Sequence, residues 1–118
     1  MIDPLPKEEQ MRAMLTGQSL RLIKECYSDA NEVNFGKYLT VTKSELISFL
    51  KKEPLLTQDY ANRNKFEAPR HDVYTILPAK KGYAVGWLDH GRLRDPIKFK
   101  TLEEAVAEHV FIQHGISG

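Results

Sequence analysis

DVYTILPAKKGYAVGWLDHGRLRDPIKFKTLEEAVAEHVFIQHGISG, residues 72–118, is the stretch that decides the fold. Three short apolar runs stand between turn formers, and an amphipathic segment follows them. Val73 to Leu77 meets Tyr83 to Leu88 through Pro78-Ala79-Lys80-Lys81-Gly82, where Gly82 is free to take a positive φ. Asp89-His90-Gly91-Arg92 makes the second turn, and Leu93 to Phe99 completes a three-stranded antiparallel meander. Pro96 has no N–H to give a ladder, so the third strand belongs at an edge or carries a bulge. Thr101 and Glu104 have capping-box spacing, Gly115 is placed to end the helix they open, and Leu102, Ala105, Val106, Val110 and Ile112 fall on its sheet-facing side. Ala84, Gly86 and Leu88 share one sheet face, where the small residues at 84 and 86 leave room for a helix backbone. The other face then presents Tyr83 and Trp87, either as a second core layer under the N-terminal helix or as an exposed surface.

Upstream the pattern is helical from Lys7 to about Ala30. Met11, Leu15, Leu22 and Cys26 form the stripe, Met14 and Ile23 widen it, and Gly17 introduces a kink or a break into two helices. Val33 to Val41 reads as a short strand weakened by Gly36. Thr42 and Glu45 form a capping box, with Val41 and Leu46 as its hydrophobic staple. The helix they open runs from about Lys43 to Glu53, buries Leu46, Phe49 and Leu50, and stops at Pro54. From Leu55 to His71 regularity fades into a long connection with at most one helical turn near Asp59 to Asn62. The sum is one α+β domain over residues 1–118: N-terminal helices, a three-stranded antiparallel meander, and a C-terminal helix packed on the sheet.

With 118 residues, 42% hydrophobic and 28% charged, the chain has ordinary globular composition and enough length for its own core. A formal charge of +1 gives no global bias toward nucleic acid or an anionic membrane. Cys26 is the sole cysteine, which excludes an intrachain disulfide and a thiolate metal cluster, and as part of the apolar stripe it reads as a small buried hydrophobe. Asp3, Lys7, Glu8 and Glu9 interrupt what a signal peptide would need to be apolar, and no run has the length of a bilayer crossing. A soluble protein of the cytoplasm is the expectation.

Chemistry-bearing residues are sparse. His71 and His90 fall in loops, and His109 and His114 on the last helix. A metal site on His109 would need a ligand at i+3 or i+4, where Ile112 and Gln113 stand, so a hydrogen-bonded structural role is expected and no metal or other cofactor is. Asp89-His90 has the composition of a carboxylate–imidazole pair, but neighbours in a tight turn are expected to point apart. No phosphate loop, zinc signature or nucleophile elbow is present, and an enzyme is disfavoured.

Charge is distributed unevenly. Between Arg63 and Lys100 nine Lys and Arg face four acids, while Glu103, Glu104 and Glu108 make the last helix acidic. Candidate partner-binding residues are Tyr60, Arg63, Phe66 and Arg70 in the long connection, Tyr83 and Trp87 on the sheet, and Phe111 between Glu104 and Glu108 on the helix. Phe111 is read as an aromatic anchor or as packed under the N-terminal helix. The basic, aromatic meander also suits a small nucleic-acid-binding domain, although lysines on hairpins and edges serve equally to prevent strand-to-strand aggregation.

The run Gly82-Tyr83-Ala84-Val85-Gly86-Trp87, then Gly91-Arg92-Leu93, then Phe99-Lys100-Thr101-Leu102-Glu103-Glu104-Ala105 resembles the small α+β immunity proteins that bacteria pair with contact-dependent or other polymorphic toxins. The resemblance covers about the last 40 residues. It implies a stoichiometric inhibitor without catalytic residues, whose partner is a cognate protein toxin.

Overall fold

The computed structural model describes residues 6–27, 38–64, 73–90 and 92–116, apart from the side chain of Cys26. The chain is α+β. In order it forms α1 (Lys7–Thr16), α2 (Ser19–Cys26), α3 (Lys43–Lys52), α4 (Pro54–Arg63), β1 (Val73–Ala79), β2 (Gly82–Asp89), β3 (Arg92–Phe99) and α5 (Leu102–His114).

Gly17 divides the N-terminal helical pattern outright. It adopts φ 75°, a left-handed conformation that costs glycine little, and α1 ends there before α2 starts at Ser19. Gln10 holds the chain that enters α3: its Oε1 accepts from the Thr40 N–H at 2.8 Å and its Nε2 donates to Thr40 Oγ1 at 3.1 Å. Residues 39–42 are irregular rather than a strand, because this side-chain clamp, not a ladder, receives the backbone there. The rest of the strand expected over Val33 to Val41, and the helix end expected near Ala30, lie outside the described residues.

The capping box before α3 is complete, with Thr42 Oγ1 accepting from the Glu45 N–H and Glu45 Oε1 accepting from the Thr42 N–H. Lys7 donates to the same Glu45 carboxylate at 2.8 Å and, together with the Thr42 N–H, lowers its pKa to about 2.

The irregular connection expected from Leu55 is corrected. Pro54 occupies the first position of a full helix, where a missing N–H costs nothing, and α4 runs to Arg63. Thr57 welds the joint, its buried hydroxyl lying 2.8 Å from the Leu50 carbonyl and 2.9 Å from that of Glu53. Residues 65–72, including Phe66, Arg70 and His71, lie outside the described set.

The sheet is the expected meander, in the order β1-β2-β3. Strands β1 and β2 pair as far as Ala79 with Gly82, which shortens the first turn to Lys80-Lys81, with Lys81 at φ 63°. Between β2 and β3 the register shifts: Val85 faces Ile97 and Trp87 faces Arg94, so Asp95 and Pro96 together oppose Gly86. This bulge sits on an edge strand at the proline, with Asp95 at φ 47°.

Helix α5 packs on the opposite face from the one expected. Ile76 and Val85 belong to the same apolar cluster as Ala105, Val106, Ala107, Val110 and Phe111, with Tyr83, Phe99 and Leu102 against it. Ala84 and Leu88 are buried on the other face. The small residue at 86 answers instead to β3, since a Cβ there would stand 2.9 Å from the Arg94 carbonyl oxygen. Val41 and Leu46, the staple, join the same cluster with Met11, Met14, Leu15, Ile23, Phe49 and Leu50. Thr101 caps α5 by accepting from the Glu104 N–H, but the second leg of the expected box is replaced by the Thr101 hydroxyl donating to the Glu104 carboxylate at 2.9 Å. Because α5 contacts α1, α3, α4 and all three strands, it is buried on nearly every side.

Candidate interaction surface on the sheet edge

Buried polar groups near α5 are committed to the architecture. The His109 ring is fully buried, with Nε2 3.0 Å from the Tyr74 carbonyl oxygen and Nδ1 2.7 Å from the Tyr60 hydroxyl. A carbonyl only accepts, so Nε2 carries the proton and Nδ1 accepts from Tyr60. Burial lowers the His109 pKa and raises that of Tyr60, which keeps both neutral. His109 thus has the structural role its surroundings in sequence suggested, joining α4 to β1. Among the described residues no group of three or more His, Cys, Asp or Glu is arranged to hold a metal ion.

Tyr60 is interior, not on a partner-facing loop. Phe111 is interior as well, in the packed position rather than the anchor position, because α5 is enclosed on the side that a helical wheel leaves outward. Lys43 lies over the Phe111 ring at 5.7 Å and donates to Glu108 at 3.2 Å, so Glu108 is occupied by an ion pair with α3. Glu104 is half-buried and engaged at the Thr101 cap. Arg63 is exposed but tied down: Nη2 donates to the Leu15 carbonyl at 2.6 Å and Nε to Asp59 at 3.1 Å. Tyr83 is half-buried against the core. The seven described candidates therefore do not assemble into one surface; Phe66 and Arg70 lie outside the described residues.

Trp87 does reach solvent. The residue is 37% exposed, and its ring meets Tyr74 edge to face at 4.9 Å, across the β1–β2 pairing. Ile97, which the sequence reading did not single out, is 49% exposed. On a regular strand residues 94 and 97 would point to opposite faces, but the extra residue of the bulge brings both to the Trp87 side. The legible signal for Ile97 was the proline beside it: a bulge at Pro96 resets which neighbours face the core.

At the end of this edge Asp89 and His90 do turn toward each other, contrary to expectation. His90, at φ 50°, brings Nδ1 to 2.7 Å from Asp89 Oδ1, while Arg94 Nε donates to Asp89 Oδ2 at 2.9 Å. The imidazole stands out in water, so the trio fixes the turn and the strand beside it without enclosing a reactant. Arg92, Arg94, Lys98 and Lys100 are exposed along β3 and just past it.

Other clefts lie among the described residues. One of about 460 Å³ has Met11 and Phe49 in its floor, and its carboxylates Glu45, Glu8 and Glu53 are paired with Lys7 and Arg12. Another of about 210 Å³ lies between α4 and the sheet, lined by Ala61, Ile76, Pro78, Tyr83 and Leu102, and a third of about 500 Å³ lies along α1 and α2. None of the three is lined by a histidine. Among the described residues no helix is long and apolar enough to cross a membrane. No family model, no curated protein and no solved structure matches the chain.

Proposed function

We propose that the chain is a non-catalytic binding protein of the immunity kind, which acts in the cytoplasm by covering the active or binding surface of a cognate bacterial toxin. The observation that carries the binding reading is that Trp87 and Ile97, on the same face of the sheet as Val85, both reach solvent among exposed arginines and lysines. Large apolar side chains exposed on one sheet face, one of them on the edge strand, are a liability unless something covers them. The titratable groups near the core support the same reading, since His109, His114 and Tyr60 are spent on holding elements together. The toxin as partner rests on the sequence resemblance.

The test is co-expression with an inactivated form of the protein encoded beside this chain, followed by purification, and protection of cells expressing the active form. A stoichiometric complex burying about 1,600 Å², together with protection, is the expected result. The absence of both complex and protection would overturn the toxin reading.

A nucleic-acid role draws on the same tryptophan and cations. It requires binding to mixed single-stranded DNA or RNA that weakens steeply with salt. The sheet offers no open platform for a row of stacked bases, because α5 covers Val85 on one face and Ala84 and Leu88 are buried on the other. Protein binding is therefore the reading put first.

A further inference from the structure

We infer that the occupant of the β3 edge is a protein surface with an apolar centre and an acidic rim, gripped by side chains rather than by added strand pairing. The inference rests on the binding-protein reading and gives its partner a chemistry and a mode of contact.

From Arg92 to Lys100 the chain carries four cations, Arg92, Arg94, Lys98 and Lys100, against the single carboxylate of Asp95, and all five side chains are exposed. Register places Arg94 and Ile97 on the Trp87 side and Lys98, opposite Ala84, on the other, so cations flank the edge from both faces. An approaching surface meets positive charge around a bare isoleucine and a half-bare tryptophan. Its complement is carboxylates around an apolar hollow.

The mode follows from the bulge. A partner strand adding to β3 needs an uninterrupted row of outward N–H and C=O groups, and Pro96 removes a donor in mid-strand while Asp95 at φ 47° turns the backbone out of line. Protection of an edge accounts for these two residues and for the charges. It does not account for Ile97, since a polar residue at 97 would protect better.

The experiment places a photo-crosslinking phenylalanine derivative at Ile97 in the full chain, with controls at exposed Lys51 on α3 and Gln58 on α4, in the native host. The expected result is an adduct from position 97 whose linked peptide is rich in Asp and Glu. Its yield should fall about tenfold or more when Arg92→Glu and Lys98→Glu are combined, with the circular dichroism spectrum unchanged. Adducts from 51 or 58 alone would overturn this surface and leave a binding protein that works through its helices. An adduct from 97 to a peptide without acids, or one indifferent to the charge reversals, would overturn the partner's chemistry. Trp87 is the only tryptophan, so its fluorescence reports the same surface. Quenching by mixed single-stranded oligonucleotides, with no protein adduct at any position, would overturn both this inference and the reading beneath it. Silence in both assays would overturn the surface.

Discussion

Ser19 and His114, 95 residues apart in sequence, meet at 2.8 Å through the serine Oγ and the imidazole Nε2. The other nitrogen, Nδ1, stands 2.8 Å from the Val110 carbonyl, so it holds the proton and Nε2 accepts from the serine. With His109 this gives two neutral imidazoles on α5, one tied to α2 and one to α4 and β1. Desolvation lowers the pKa of each, opposed by the N–H donated to a backbone carbonyl.

The consequence for acid stability has a definite sign. An unfolded histidine takes up a proton near its ordinary 6.5, whereas His109 and His114 in the fold resist protonation to lower pH. Their contribution is therefore complete above pH 6.5 and declines as pH falls below it toward their folded values. Glu45 follows at lower pH, its contribution being present above 4.5 and lost as pH falls toward about 2. Urea midpoints measured from pH 8 to 4 should decline first below 6.5, and His114→Gln should flatten part of that decline. A midpoint constant from pH 7 to 5 would contradict the lowered pKa of the two histidines.

Removing the Tyr60 hydroxyl tests the buried trio directly. Tyr60→Phe leaves His109 Nδ1 without a donor in the interior, at a cost of about 1–3 kcal/mol. Denaturant unfolding measures it, and a loss below about 0.5 kcal/mol would mean that the pair is not buried as described.

Gln10 gives a local readout. Its carboxamide is fully buried and holds both the N–H and the hydroxyl of Thr40. Gln10→Ala should lower protection of the Thr40 amide against hydrogen exchange far more than that of amides within β2. Equal loss in both places would show a general weakening instead.

Gly82 and Gly17 contrast two reasons for glycine. A Cβ on Gly82 would run into the Phe99 carbonyl oxygen of β3, whereas one on Gly17 meets no atom within 4 Å and carries only the penalty of φ 75°. Gly17→Ala should cost about 1–2 kcal/mol. Gly82→Ala should cost more, because the pairing of two strands must move; comparative thermal melts decide it.

Pro96 keeps the β3 edge closed to copies of itself. Pro96→Val supplies the missing donor and a residue that favours strands, and should produce self-association at high concentration, measured by light scattering. A variant that stays monomeric would place the protection in the charges of Arg92, Arg94, Lys98 and Lys100 alone.

The meander and its closing helix were legible because their signals are local: apolar runs, glycine turns, Thr101 at a cap, Pro96 at an edge. What sequence hid was decided by distant partners. Pro54 can stop one helix or start the next, and Thr57 reaching back to the Leu50 carbonyl together with Tyr60 reaching His109 selects the start. Phe111 looks outward on a wheel, but a wheel assumes one wet side and α5 has almost none. The face chosen by α5 was obscured by Gly86, whose smallness serves the neighbouring strand. Of the candidate surface, Trp87 was readable from alternation, while Ile97 needed the bulge to be counted.

Helix α5 comes after every element it joins, and this order has a consequence in time. A nascent chain that has left the ribosome as far as Phe99 holds α1 to α4 and the meander without the helix that contacts α1, α3, α4 and all three strands. Compaction waits for the segment from Leu102 to His114, so during synthesis Leu46, Ile76 and Val85 are open to chaperones until those last turns emerge.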